Sequence, residues 1–288
     1  MGPTGAGKTQ FAETIAERVG AQLVSADAFQ IYRGFNIGTA KTSRPDLYRL
    51  IDIRDPHESF GVGEWVLLAH EILAEAFANK QHVVIVGGTG FYVRALLEEY
   101  SDLKPPPDPQ LRADLERREI ELGLHSLVEE LLSLDPKAVD RVDLHNPVRV
   151  RRALERLATG EPVQVPKLPP FSVQKVLIDP GIEKLRQRIV DRFEEMVQNG
   201  WVSEVEALRQ AGVTLAMPAM RAIGYRALWE HCEMGTALAD VMPGILVEMH
   251  QYAKRQRTWL RSEPNLVRAE EGNTIELRQQ YLNWFARQ

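Results

Sequence analysis

A chain of 288 residues with 44% hydrophobic content is long enough for one large domain or two modest ones, with the composition of a globular protein. Its formal net charge of −5 excludes a globally basic nucleic-acid binder, so any RNA partner has to meet local basic patches. The lone Cys232 excludes an intramolecular disulfide, no Cys/His cluster stands at zinc-ligand spacing, and no apolar run or leader suits a membrane, all of which fits a cytoplasmic protein.

The first stretch, Gly2-Pro3-Thr4-Gly5-Ala6-Gly7-Lys8-Thr9, satisfies G-x-x-x-x-G-K-[ST]. In such a loop backbone N–H groups point at phosphate oxygens, because glycines let the chain wrap without side-chain clashes. Lys8 adds a point charge, and Thr9 a hydroxyl for a phosphate-bound Mg²⁺. Phe11, Ala12, Ile15, Ala16 and Val19 then recur at helical spacing and Gly20 ends the run, so the loop opens a helix whose N-terminus favours anions. Only Met1 precedes Gly2, so the buried strand that ordinarily anchors such a loop is absent from this chain. A loop held from one side alone is expected to be less rigid and to bind phosphate less tightly.

Residues 21–25 read as a buried strand that delivers Asp27, Ala28, Phe29 and Gln30 at its carboxyl end, where open α/β sheets bind ligands. The polar, glycine-bearing segment to Lys41 reads as a functional loop. Residues 50–53 are expected as a strand, 55–58 as a turn and 62–79 as a helix. His82-Val83-Val84-Ile85-Val86 is an unbroken run, expected to be covered on both faces, and Gly87-Gly88-Thr89-Gly90 leads from it into another helix. This alternation predicts a doubly wound parallel sheet.

Prolines at 105, 106, 107 and 109 mark a boundary. From 105 to 170 we expect an all-helical insert, charged and ending in the proline-rich hinge 162–170, between core segments 1–104 and 171–288. Residues 173–178 restore a strand, Ile182 to Val197 form a striped helix, and Ser203-x-x-Glu206 fits a capping box. Residues 244–261 read as a helix with a basic end.

With these motifs in order, the chain resembles the tRNA dimethylallyltransferases, also called isopentenyl-tRNA transferases. The likeness rests on the phosphate loop, Asp27 to Lys41, Gly87 to Tyr92, Asn146 to Glu155, Arg221-Ala222-Ile223-Gly224-Tyr225 and Tyr252 to Arg261, and covers nearly the whole length. Departures are Ala28 where serine is frequent, Thr42 where proline commonly follows the lysine, and Asn146 and Val148 where an acid and a glutamine are usual. The resemblance implies transfer of the dimethylallyl group of dimethylallyl diphosphate to N6 of adenine 37, in tRNAs reading codons that start with U. It implies Mg²⁺, release of diphosphate, a monomer, and an insert that clamps the anticodon stem-loop.

Such a displacement develops negative charge on the departing diphosphate, which a phosphate loop and the forked guanidinium of Arg221 would absorb. Asp27 is the candidate acceptor of the N6 proton, and its alternative is to cap the next turn. Thr89 is expected at the reacting centre by resemblance, or as a helix N-cap, or both. Base extrusion needs groups that fill the vacated space: Phe29, equally a core residue, and Gln30 as an edge reader. The resemblance extends the tRNA-contacting set to Ala28, Arg112, Val148, Arg149, Val150, Arg151, Arg152, Lys254, Arg255, Gln256 and Arg257. Rival readings are an NTP-dependent small-molecule kinase, an adenylate prenyltransferase that uses free nucleotide, and a nucleotide-dependent switch.

Overall fold

Gly7 takes the left-handed region at φ 88°, turning the chain so that Lys8 starts α1 (Lys8–Val19), which buries Phe11, Ala12, Ile15 and Ala16 along one face. The structure, a computed structural model, describes residues 1–98, 108–159, 168–268 and 274–285. Behind α1 runs β1 (Gln22–Ser25), flanked in parallel by β2 (Tyr48–Arg49) and β3 (Val83–Val86) in the order β2-β1-β3. The strand expected over 50–53 lies two residues earlier, because Leu50 (φ 65°) and Asp52 (φ 54°) leave the extended region and end the ladder. Between β2 and β3 lies α2 (Val62–Ala78), and after β3 comes α3 (Gly90–Leu97).

Three helices form the insert: α4 (Pro109–Leu122), α5 (Leu124–Leu134) and α6 (Pro147–Ala158). Asp108 and Asn146 cap α4 and α6 by accepting from Gln110 N (2.9 Å) and Arg149 N (3.3 Å). Leu115, Leu127, Leu131, Val150 and Leu154 make its own core. By contact density the chain divides into Glu99–Pro166 and a unit made of Met1–Glu98 with Lys167–Gln288. The sequence boundaries stood at 104/105 and 170/171; the prolines at 105–107 and 162–166 lie outside the described residues.

The chain then resumes α/β structure with β4 (Lys175–Leu177), α7 (Ile182–Gln198), α8 (Trp201–Gln210), α9 (Tyr225–Met234), α10 (Leu238–Arg261), β5 (Leu266–Arg268) and α11 (Thr274–Phe285). Helix α10 begins six residues before the expected Gly244 and carries Pro243 inside it. The capping box at Ser203 does not form: α8 starts at Trp201 behind Gly200, which leaves Ser203 inside the helix, and Glu206 pairs with Arg209 at 3.0 Å. The main core joins Ile31 and Phe35 of the long loop to Phe193, Trp201, Val205, Tyr225 and Ile245.

The parallel strands fall into two sheets, because β4 pairs only with β5 among the described residues. Met1 lies beside β4: its nitrogen donates to Val176 O (2.6 Å) and its carbonyl accepts from Ile178 N (2.9 Å). A groove of about 280 Å³, walled by β3 on one side and residues 173–176 on the other, runs upstream of that contact. It also corrects the expectation that β3 is covered on both faces: only Val86 is buried, while Val83, Val84 and Ile85 are half-buried along the groove.

Candidate active site

The phosphate loop is tied from several directions. Ala6 N donates to Pro3 O (3.2 Å), closing the turn, and Lys8 Nζ donates to the same carbonyl (2.8 Å). From α7, four residues apart on one face, Arg192 Nη1 reaches Thr4 Oγ1 (3.3 Å) and Arg188 Nη1 reaches Ala6 O (3.4 Å). Neither arginine was singled out in the sequence. Their signal was the position of each cation directly beside the apolar stripe of Leu185, Ile189 and Phe193.

Burial, and then the nearby Arg192, lower the Lys8 ammonium to about 8, against the pull of Asp27. Burial likewise lowers Arg192, opposed by Asp27 and Glu195. A bound anion favours charged Lys8 and so raises its pKa. Between about 8 and that higher value binding puts a proton on Lys8, so the Lys8 contribution to diphosphate affinity is expected to be flat below pH 8 and to weaken above it, by up to about tenfold per unit, on top of the ligand's own titration. Titrating inorganic diphosphate on either side of this value checks it; a Lys8→Met variant is expected to lose the dependence.

One cleft of about 660 Å³ gathers Thr4, Gly5, Gly7, Lys8 and Thr9 with Asp27, Arg192 and Arg221. Three of the eight expected diphosphate-binding residues are not in its lining. Gly2 packs against Ile178, whose carbonyl would stand 2.3 Å from a Cβ there; Pro3 has no N–H; and Ala6 is buried with its N–H already bonded to Pro3. Thr9 is exposed at the start of α1, and no trio of His, Cys, Asp or Glu that could hold a metal occurs among the described residues. Its hydroxyl suits Mg²⁺, which keeps several waters and is carried largely by substrate phosphate oxygens.

Asp27 stands at the carboxyl end of β1. Its Oδ1 accepts from Phe29 N (2.9 Å) and Gln30 N (3.3 Å), forming the turn, while Oδ2 accepts nothing among the described residues. The carboxylate therefore both shapes the turn and offers one oxygen to the cleft. Phe29 lines the cleft and also packs against the core, so the two readings of it are joined. Gln30, expected to read a base edge, has its amide engaged internally: Nε2 donates to Thr39 O (3.1 Å) and Ala40 O (3.2 Å), and Oε1 accepts from Ser25 (3.3 Å). Thr89 holds the N-cap position of α3 without capping it. Its hydroxyl accepts instead from Ala28 N (3.2 Å), behind the cleft wall made by Gly87 and Gly88.

Arg221 ends a short 3₁₀ turn (Pro218–Arg221), lines the cleft and has no hydrogen bond or ion pair among the described residues. On α10, Gln256 has a role the sequence did not show. It is largely buried at the cleft lining, accepts from Thr4 N (2.8 Å) and donates to Gly88 O (3.0 Å), so its amide braces the phosphate loop against the β3–α3 turn. Arg257 is held by Asp179 at 2.8 Å, whereas Lys254 and Arg255 are exposed.

Within the insert, the basic run on α6 is largely neutralised. Arg151 meets Glu116 (3.1 Å) and Glu119 (3.2 Å), and Arg112 and Arg152 share the buried Glu155, each at 2.9 Å. Val150 is fully buried in the insert core, which rules out the expected side-chain contact with RNA. Val148 and Arg149 are exposed.

A parallel α/β core whose glycine-rich loop opens a helix, with a carboxylate lining the same cleft, is the arrangement of a class of proteins that handle phosphorylated ligands. Residues 30–263 match the family described as IPP transferase, and residues 1–53 the family described as isopentenyl transferase. The tRNA dimethylallyltransferase of Halorhodospira halophila is 38% identical across 96% of this chain and 93% of its own. That of Chloroflexus aggregans is 38% identical across 92% of this chain and 93% of its own. The chain belongs to the tRNA dimethylallyltransferase family. Among solved structures, the full-length tRNA isopentenylpyrophosphate transferase from Bacillus halodurans superposes with a TM-score of 0.71 at 29% identity, over 99% of this chain and 93% of that one. A eukaryotic dimethylallyltransferase acting on tRNA shares the fold, with a TM-score of 0.75 at 18% identity, over 100% of this chain and 78% of that one.

Proposed function

We propose that the protein transfers the dimethylallyl group of dimethylallyl diphosphate to N6 of adenine 37, in tRNAs that read codons starting with U. One observation carries this reading: cations and a carboxylate with a spare oxygen line the same cleft. The C1–O bond of the donor breaks and its electron pair leaves on diphosphate. The N6–C1 bond forms from the adenine lone pair, and the N6 proton passes to Asp27 Oδ2.

Diphosphate binds at the N–H groups of Gly5, Gly7, Lys8 and Thr9, which line the cleft, with Lys8, Arg192 and Arg221 taking up the developing charge. The Thr9 hydroxyl would help to hold Mg²⁺, which when bound would supply further neutralisation of the leaving group. Thr89 keeps Ala28 and the Asp27 turn in place, and Phe29 fills space beside the extruded base. Lys254 and Arg255 on the core, and Arg149 on the insert, carry the phosphate contacts to the anticodon stem-loop, because they are the exposed cations of the two basic runs. The protein acts as a cytoplasmic monomer; no helix among the described residues is long and apolar enough to cross a membrane.

The names of the relatives support a tRNA acceptor over free nucleotide and over kinase chemistry. Incubation with labelled dimethylallyl diphosphate and Mg²⁺ tests the reading. Label is expected in tRNA and not in AMP, and label appearing in AMP alone would overturn it.

A further inference from the structure

We propose that Trp201 is the wall that limits isoprenoid length in this cleft, so that a five-carbon allylic donor fits and a ten-carbon one is excluded. The inference rests on the prenyl-donor reading above and deepens it.

The cleft lining carries two kinds of side chain: the cationic Lys8, Arg192 and Arg221, and the apolar Met196, Trp201, Ile223 and Met249. A diphosphate ester placed with its phosphates at the loop therefore directs its hydrocarbon toward the second group.

Within that group Trp201 is the rigid member. It is the first residue of α8 and only 1% exposed, and its indole lies between two glycines. A Cβ on Gly38 would come within 2.2 Å of Nε1, and a Cβ on Gly224 within 2.3 Å of Cη2. Phe193 and Tyr225 meet the ring edge to face, with centroids 6.2 and 5.7 Å away. The ring has no room to turn aside for a longer chain.

Its nitrogen shows what the residue is there for. Nε1 is buried without any hydrogen-bond partner among the described residues, an unfavourable arrangement that leucine or phenylalanine would avoid. With no internal partner for Nε1, what the indole contributes to the packing here is its volume and shape. The flexible Met196 and Met249 adapt to whatever lies beside them and cannot set a sharp limit.

The test compares kcat/KM for dimethylallyl and geranyl diphosphate, with the same tRNA, in the parent protein, Trp201→Phe and Trp201→Leu, alongside thermal melts. The geranyl-to-dimethylallyl ratio is expected to rise about tenfold or more in Trp201→Leu, and by less in Trp201→Phe. A cooperatively melting Trp201→Leu with the parent ratio overturns the proposal. Should that variant fail to fold, an unchanged ratio in Trp201→Phe overturns it instead. A parent protein inactive with dimethylallyl diphosphate would refute the donor reading itself, which separates the two failures.

Discussion

Asp27→Asn is expected to lower turnover by about a hundredfold or more while leaving diphosphate affinity unchanged or somewhat higher, because a negative charge beside Lys8 and Arg192 is removed. The asparagine keeps an Oδ1 that accepts from Phe29 N and Gln30 N, so the turn and the cleft wall survive. What it loses is the basic oxygen, because an amide does not take up a proton near neutrality. Single-turnover measurements with saturating tRNA separate these effects from acceptor binding. A variant that retains most of the parent rate would show that Asp27 shapes the turn and nothing more.

Glu263→Ala is expected to destabilise the protein by about 3 to 5 kcal/mol, the scale for removing one partner of a buried ion network. Its side chain is fully buried, accepting from Arg94 (2.6 and 2.9 Å) and Lys175 (2.6 Å). Removal leaves two poorly solvated cations from α3 and β4 facing a cavity. Glu263→Gln, which retains hydrogen-bond acceptance, should cost less. Urea denaturation of the two variants checks both magnitude and order, and near-parent stability of the alanine variant would mean the cations find water.

Much of the core was legible from spacing. The helix after the phosphate loop, the strand before Asp27 and the three-helix insert follow from local periodicity, capping and glycine placement. The strand expected over 50–53 failed on a local ground too: an apolar pattern does not report that Leu50 and Asp52 adopt positive φ. Burial of β3 could not be read, since a run of valines looks the same whether or not a neighbouring strand covers it.

For the site, residue types marked the loop and the acid that meet in one cleft, whereas the basic runs gave no sign of their partners. Arg151 and Arg257 look like RNA-facing charge in one dimension, and in three dimensions they are held by acids on other elements, while Arg152 pairs with Glu155 of its own helix, which Arg112 of α4 also meets. A charge's partner is set by packing, which sequence proximity does not encode.

By itself, then, the order of residues determined where the anion cradle begins, which strand end carries the acid, and where helices replace the α/β pattern. These depend on interactions within a few residues of each other. Only the tertiary structure decided that Gln256 braces Thr4 across 252 positions of chain, that Arg188 and Arg192 lean on the loop, and that Trp201 is locked between Gly38 and Gly224. Such contacts form when packed elements meet, and the energy that selects them comes from burial and geometry shared by residues far apart in the chain.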